Sequence, residues 1–150
     1  YWIYMVPQYK PKNVLILGYA GGTVAGLIRL LYGDVPITAV DIETCEDRYG
    51  VNLIQADAKE FVKTCEHFDT VIVDLFDSKD SNNPCDFVTS KEFINNLKRI
   101  SNYVIVNGLH SDMSAYKDLR RMGVNKPSGS AEQIFYYEIN PIPNLHPWKD

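Results

Sequence analysis

The sequence is short of positive charge. Its 150 residues hold 15 Lys and Arg against 19 Asp and Glu, a formal net charge of −4. The basic residues are scattered, and their densest clusters, "LKRI" and "LRRM", fall on two predicted helices. Those are solvated helix faces rather than a phosphate track, so no nucleic-acid partner is expected. Long apolar runs are missing too. None approaches the ~20 residues that a membrane helix requires, so no membrane partner is expected either. The opening "YWIYMVPQY" is aromatic but stops at Pro7 without a basic flank, and is not read as a signal peptide. Cysteine pairs are absent: Cys45, Cys65 and Cys85 lie in three different segments with no C-x-x-C among them. Zinc is therefore disfavoured, no metal is assigned, and three free thiols fit a reducing cytoplasm. No repeat or low-complexity segment interrupts the chain.

What is present is ordinary globular material, 45% apolar and 23% charged, enough for one domain. "NVLILG" (13–18) reads as a strand buried on both faces. "TVAGLIRLLYG" sets Val24, Leu27, Ile28 and Leu31 at helical spacing and stops at Gly33. Further strands are expected at 36–42, 51–57, 68–77, 102–108 and 132–140. Helices are expected in "AKEFVKTCEHF", in "TSKEFINNLKRI" behind a Thr89–Glu92 capping box, and in "SAYKDLRRM". This alternation predicts an α/β fold: a mostly parallel, twisted, Rossmann-like sheet of about six strands with helices on both faces. Only "ETCEDRYG" separates the second and third strands, less than the ~10–12 residues of a normal crossover. That crossover is therefore shortened and its side of the sheet thinly covered. The organisation is an aromatic segment over residues 1–10, the α/β domain over 11–140 and an irregular tail over 141–150.

Open α/β sheets bind ligands beyond the carboxyl ends of their strands. Here those ends carry Gly18–Gly22, Asp41, Asp57, Asp74 with Asp77, and Asn107 with Gly108. Turns favour such residues anyway, but a set at every strand behind a Gly-rich first turn points to a site. A dinucleotide turn would read G-x-G-x-x-G. Gly18, Tyr19, Ala20, Gly21 and Gly22 lack its last glycine and read G-x-A-x-G, similar to the G-x-G-x-G turn of S-adenosylmethionine-binding domains.

In series, "VLILGYAGGTVAGLI", "VDIE", "ADAKEFV", "FDTVIVDLFD", "FVTSKEF" and "YVIVNGL" resemble the spermidine synthase-like proteins over residues 12–122. The resemblance implies a class I methyltransferase fold and S-adenosylmethionine, or its decarboxylated form, as cofactor. It implies that Gly18, Ala20 and Gly22, with Tyr19 and Gly21 in the same turn, line the sulfonium end. Tyr19 either stacks on the ligand or covers the corner. Asp41, with Ile42 beside it, would hold the ribose diol, and Asp57 and Ala58 would face adenine. Asp74 would be the catalytic carboxylate at the sulfonium, and Asp77 would help hold a small-molecule amine. A homodimer is a further expectation of the family. The departures bear on the amine: the turn has no acid, "D-S-S-D" becomes "DLFD" (Asp74–Asp77), and the family's N-terminal β-hairpin is missing or not included in these residues. Four readings follow: an aminopropyl transferase, a methyltransferase on the same fold, a non-catalytic nucleoside- or partner-binding domain, and, last, an NAD enzyme.

Overall fold

The computed structural model describes residues 1–80 and 82–148. The chain builds a seven-stranded sheet in the order β3-β2-β1-β4-β5-β7-β6. β1 (Val14–Leu17), β2 (Ile37–Asp41), β3 (Asn52–Gln55), β4 (Phe68–Val73) and β5 (Ser101–Leu109) run parallel. β6 (Arg120–Asn125) and β7 (Glu132–Glu138) join antiparallel. Alternate residues of each strand face opposite ways, so the sheet carries two cores. Val14, Ile16, Ala39, Ile72 and Ile105 pack under α1 (Thr23–Tyr32) and a 3-10 turn at Trp2–Met5. Leu15, Leu17, Val71, Val73 and Val104 pack under α2 (Ala58–Thr64) and α3 (Lys91–Ile100). Helices thus cover both faces, as the alternation predicts.

Three expectations need correction. Where about six strands are expected, seven are present among the described residues, the additional one being β6. "SAYKDLRRM" is not a helix: a 3-10 segment, His110–Tyr116, gives way to β6. Leu119 and Met122 imitate helical spacing, but the segment is the outer arm of a hairpin with β7. That partner lies too far along the chain for local periodicity to reveal it. Arg120 and Arg121 therefore sit on an edge strand, where Arg120 donates to Glu138 Oε1 at 3.1 Å. The third correction concerns α3, whose cap is Ser90. Its hydroxyl accepts from the Phe93 amide at 3.2 Å, while the Thr89 hydroxyl donates back to the Asp86 carbonyl.

The β2–β3 crossover is as bare as its length requires, with no helix between Ile42 and Val51. It is tied down instead. Asp47 accepts from the Tyr49 and Val51 amides, and Arg29 on α1 donates to the Tyr49 and Gly50 carbonyls. The Tyr49 ring lies so close over Gly26 that a Cβ there would meet it at 2.9 Å. β3 is correspondingly half-exposed.

The tail is irregular but packed: Trp148 lies against Gly123 and Tyr136, and its amide donates to the Met122 carbonyl at 2.7 Å. Residues 149 and 150 of the expected tail lie outside the described residues. Among the described residues no helix is long and apolar enough to cross a membrane.

Candidate active site

The corner after β1 is shaped by backbone. Gly18 has φ of +90°, and a Cβ there would collide with the Asp74 carbonyl. Only glycine lets β1 and β4 part this closely. Ala20, with φ of 48°, is held left-handed although it is not glycine, a strained position of the kind that clusters at binding sites. Gly22, with φ of 79°, opens α1 without any side-chain cap.

Asp41, at the end of β2, turns back onto this corner. Its Oδ2 accepts from the Tyr19 amide at 2.9 Å and the Ala20 amide at 3.1 Å, and its Oδ1 from the Glu43 amide at 2.9 Å. A carboxylate has about four acceptor positions, so most of this one is already engaged by main chain. Tyr19 covers the corner rather than facing the cleft. It is 4% exposed and lies over Gly22, and among the described residues its hydroxyl has no hydrogen-bond partner.

Beyond the strand ends lies a cleft of 570 Å³, within the usual range for small-molecule sites, ~300–1,000 Å³. Gly18, Ala20, Asp41, Ile42, Asp57, Ala58, Asp74 and Asp77 all line it, so eight of the residues expected from the sequence come together. Tyr19, Gly21 and Gly22 do not reach it. With Gly18, Ala20 and Asp74, Tyr19 and Gly21 line a smaller hollow of 60 Å³ alongside. Asp57 caps α2 through one oxygen, accepting from the Lys59 amide at 2.9 Å. Asp77 is exposed and accepts from the Lys79 amide at 2.8 Å.

Asp74 differs from the rest. It leaves the end of β4 partly buried, and burial pushes its carboxyl up to about 6. The Asn107 amide, donating at 3.0 Å, opposes that rise, and the charge of Glu132 adds to it. A carboxyl poised near neutrality in a cleft is the kind of group that acid–base chemistry uses.

Among the contributors to the cleft that the sequence missed are Trp2, Glu43, Phe87 and Glu132. It also missed Tyr1, whose hydroxyl reaches Asn107 Oδ1 at 2.8 Å. Tyr1 and Trp2 read as core or interface aromatics, and nothing local ties residues 1 and 2 to residue 107 or 132. Glu43, two residues after Asp41 in "VDIE", carried a usable signal. With it and Glu132 the cleft presents six carboxylates, and no Lys, Arg or His lines it among the described residues.

No protein-family model and no curated protein matches the chain. Its fold is widely shared all the same, with 177 solved chains resembling it. Human methyltransferase-like protein 13, solved with S-adenosylhomocysteine (SAH), aligns with 96% of this chain and 81% of its own at a TM-score of 0.74 and 14% identity. The N-methyltransferase NodS of Bradyrhizobium japonicum, also in complex with SAH, aligns with 88% of this chain and 79% of its own, at 0.59 and 13%. The fibrillarin/Nop5p complex gives 0.63 and 13% over 87% and 73%. The fold is that of the Rossmann-like methyltransferases.

Proposed function

We propose that the chain is a spermidine synthase-like transferase. It binds S-adenosylmethionine or its decarboxylated form in the cleft and passes an aminopropyl or methyl group to a small amine. The cleft's six carboxylates, with no basic side chain lining it among the described residues, are the observation that carries this reading. Such a lining repels phosphates, which disfavours NAD, and attracts a sulfonium and an ammonium alike. The bare corner at Gly18 fits a ligand pressed against backbone. The SAH complexes of methyltransferase-like protein 13 and NodS place that class of ligand on the same fold.

When bound, the cofactor supplies a carbon activated by positive sulfur, with a neutral thioether as leaving group. The chain's residues do the rest. Ala58 and Ile42 offer apolar surface to a nucleoside, Asp57 has one oxygen free for an adenine amino group, and Asp41 has little left beyond one acceptor position for ribose. Asp74 stands beside Gly18, against the reacting end. An amine has a reference pKa of ~10.4 and must shed a proton to attack. Asp74 can hold it as ammonium, orient it, and receive its proton as the nitrogen–carbon bond forms and the carbon–sulfur bond breaks. Asp77 lies at the rim, where a second positive charge on the acceptor would sit.

The reading is tested by titration calorimetry with S-adenosylmethionine, its decarboxylated form, methylthioadenosine and NAD, with Asp41→Ala as control. Micromolar binding of an adenosyl-sulfur ligand, weakened at least tenfold in the variant, is expected. Binding by none of them overturns the reading. Binding without turnover on any amine leaves a nucleoside-binding domain.

A further inference from the structure

Asp74 is the end of a chain of side chains drawn from three separate parts of the fold. Asn107 on β5 donates from Nδ2 to Asp74 Oδ1 at 3.0 Å. Its other end, Oδ1, lies 2.8 Å from the Tyr1 hydroxyl. That hydroxyl lies 2.5 Å from Glu132 Oε2 at the start of β7. Asn107 is 3% exposed, so water has little access to settle which way its amide points.

The orientation matters because the two ends of an amide act oppositely. With NH2 toward Asp74, the amide stabilises the carboxylate. Turned over, its oxygen would face a carboxylate oxygen, two acceptors in contact, and only a protonated Asp74 could tolerate that. The donor that favours the first orientation is the Tyr1 hydroxyl at the far end. A phenol has one proton, however, and Glu132 competes for it. The Tyr1 hydroxyl is itself pushed well above its usual range, by burial first and then by Glu132, so it keeps that proton.

We propose that Tyr1 and Glu132 are positioning residues for Asp74 and act through Asn107. Tyr1 holds the amide with its donor face on the carboxylate, and Glu132 draws the Tyr1 proton away. The inference deepens the transferase reading and rests on it for its purpose, though not for its test. The groups facing Asp74 are Asn107 from β5, Glu132 from β7 and Tyr1 beside the 3-10 turn. Around the same cleft stand Asp41, Glu43, Asp57 and Asp77. With no basic side chain lining that cleft among the described residues, the Asn107 amide is the side-chain donor that sets how readily Asp74 ionises.

The test is a carbon-detected NMR titration of the Asp74 carboxyl in ligand-free protein carrying labelled aspartate. Tyr1→Phe is expected to move the midpoint up by roughly half to one pH unit. Glu132→Gln is expected to move it down, because a like charge is lost and the hydroxyl proton is freed for Asn107. Asn107→Ala should raise it at least as far as Tyr1→Phe. Combining Tyr1→Phe with Asn107→Ala should add nothing to Asn107→Ala alone, the signature of action through a shared partner. Asn107→Ser replaces Asn107→Ala if the latter fails to fold, and the opposite shifts at exposed Tyr1 and at Glu132 need neither. An unchanged midpoint in both Tyr1→Phe and Glu132→Gln overturns the proposal, as does an additive double variant. Absence of ligand binding with these shifts intact would instead sink the transferase reading alone.

Discussion

At the scale of single residues, Asp74 shows what a partly buried carboxylate costs its fold. An aspartate in an unfolded chain titrates near ~3.9, and in the folded protein burial lifts Asp74 to about 6. The folded state therefore binds more protons than the unfolded one between these values. Stability falls as pH rises through that window, and the full penalty remains above it. The shift corresponds to about 3 kcal/mol at most, and partial exposure trims that to about 1–3 kcal/mol. Asp74→Asn removes the charge and keeps the shape. Urea unfolding should find this variant more stable than the parent at pH 8, with the gain shrinking toward zero near pH 4, while the proposed transfer reaction is lost. A gain independent of pH would mean that burial of the charge is not the cause. The sequence could place Asp74 at a strand end, because "VIVDLFD" shows where the apolar run stops. It could not show the perturbation, since burial and the approach of Glu132 come from residues far away in the chain.

At the scale of elements, legibility followed how local each element's causes are. β1, β2, β4 and β5 were readable because they are buried on both faces and show as unbroken apolar runs. β6 was not, because it is a strand by virtue of β7. The start of α3 lies between these cases. "TSKEF" offers two hydroxyls one residue apart, and both suit a cap by type. Backbone geometry decides, and it selects Ser90, which accepts from the Phe93 amide. Ser90→Ala should therefore cost about 1 kcal/mol in equilibrium unfolding. Thr89→Ala, which removes a hydroxyl directed to the Asp86 carbonyl on the exposed side, should cost less than half as much. Equal losses would return the cap to the pair Thr89–Glu92. The crossover follows the same logic in reverse. The shortage of residues between β2 and β3 could be counted, but its remedy through Arg29 and Tyr49 depends on a helix that comes earlier in the chain.

At the scale of the whole molecule, charge is distributed more tellingly than its sum. A net charge of −4 over the full chain is mild, yet six carboxylates converge on one cleft with no basic side chain lining it among the described residues. Parallel strands explain part of this convergence: Asp41 ends β2, Asp57 follows β3, Asp74 and Asp77 follow β4, and the carboxyl ends of these strands all lie on one edge. Glu132 arrives there for the opposite reason, since β7 is antiparallel and begins where the others finish. The Gly-rich corner adds to the effect. Its Tyr19 and Ala20 amides, which could receive a ligand's carboxylate, already hold that of Asp41. The site is thus built against anions at the corner and across the cleft. Affinity should rise from S-adenosylhomocysteine, with neutral sulfur, to S-adenosylmethionine, with a sulfonium. It should rise again to the decarboxylated form, which keeps two cationic groups and no carboxylate. Because screening acts over ~8 Å at physiological ionic strength, added salt should compress that order and weaken the decarboxylated form most. Calorimetry at low and high salt measures both trends. An order that is flat, or reversed in favour of the carboxylate-bearing ligands, would mean that the cleft's acids do not face the ligand and that shape alone selects it.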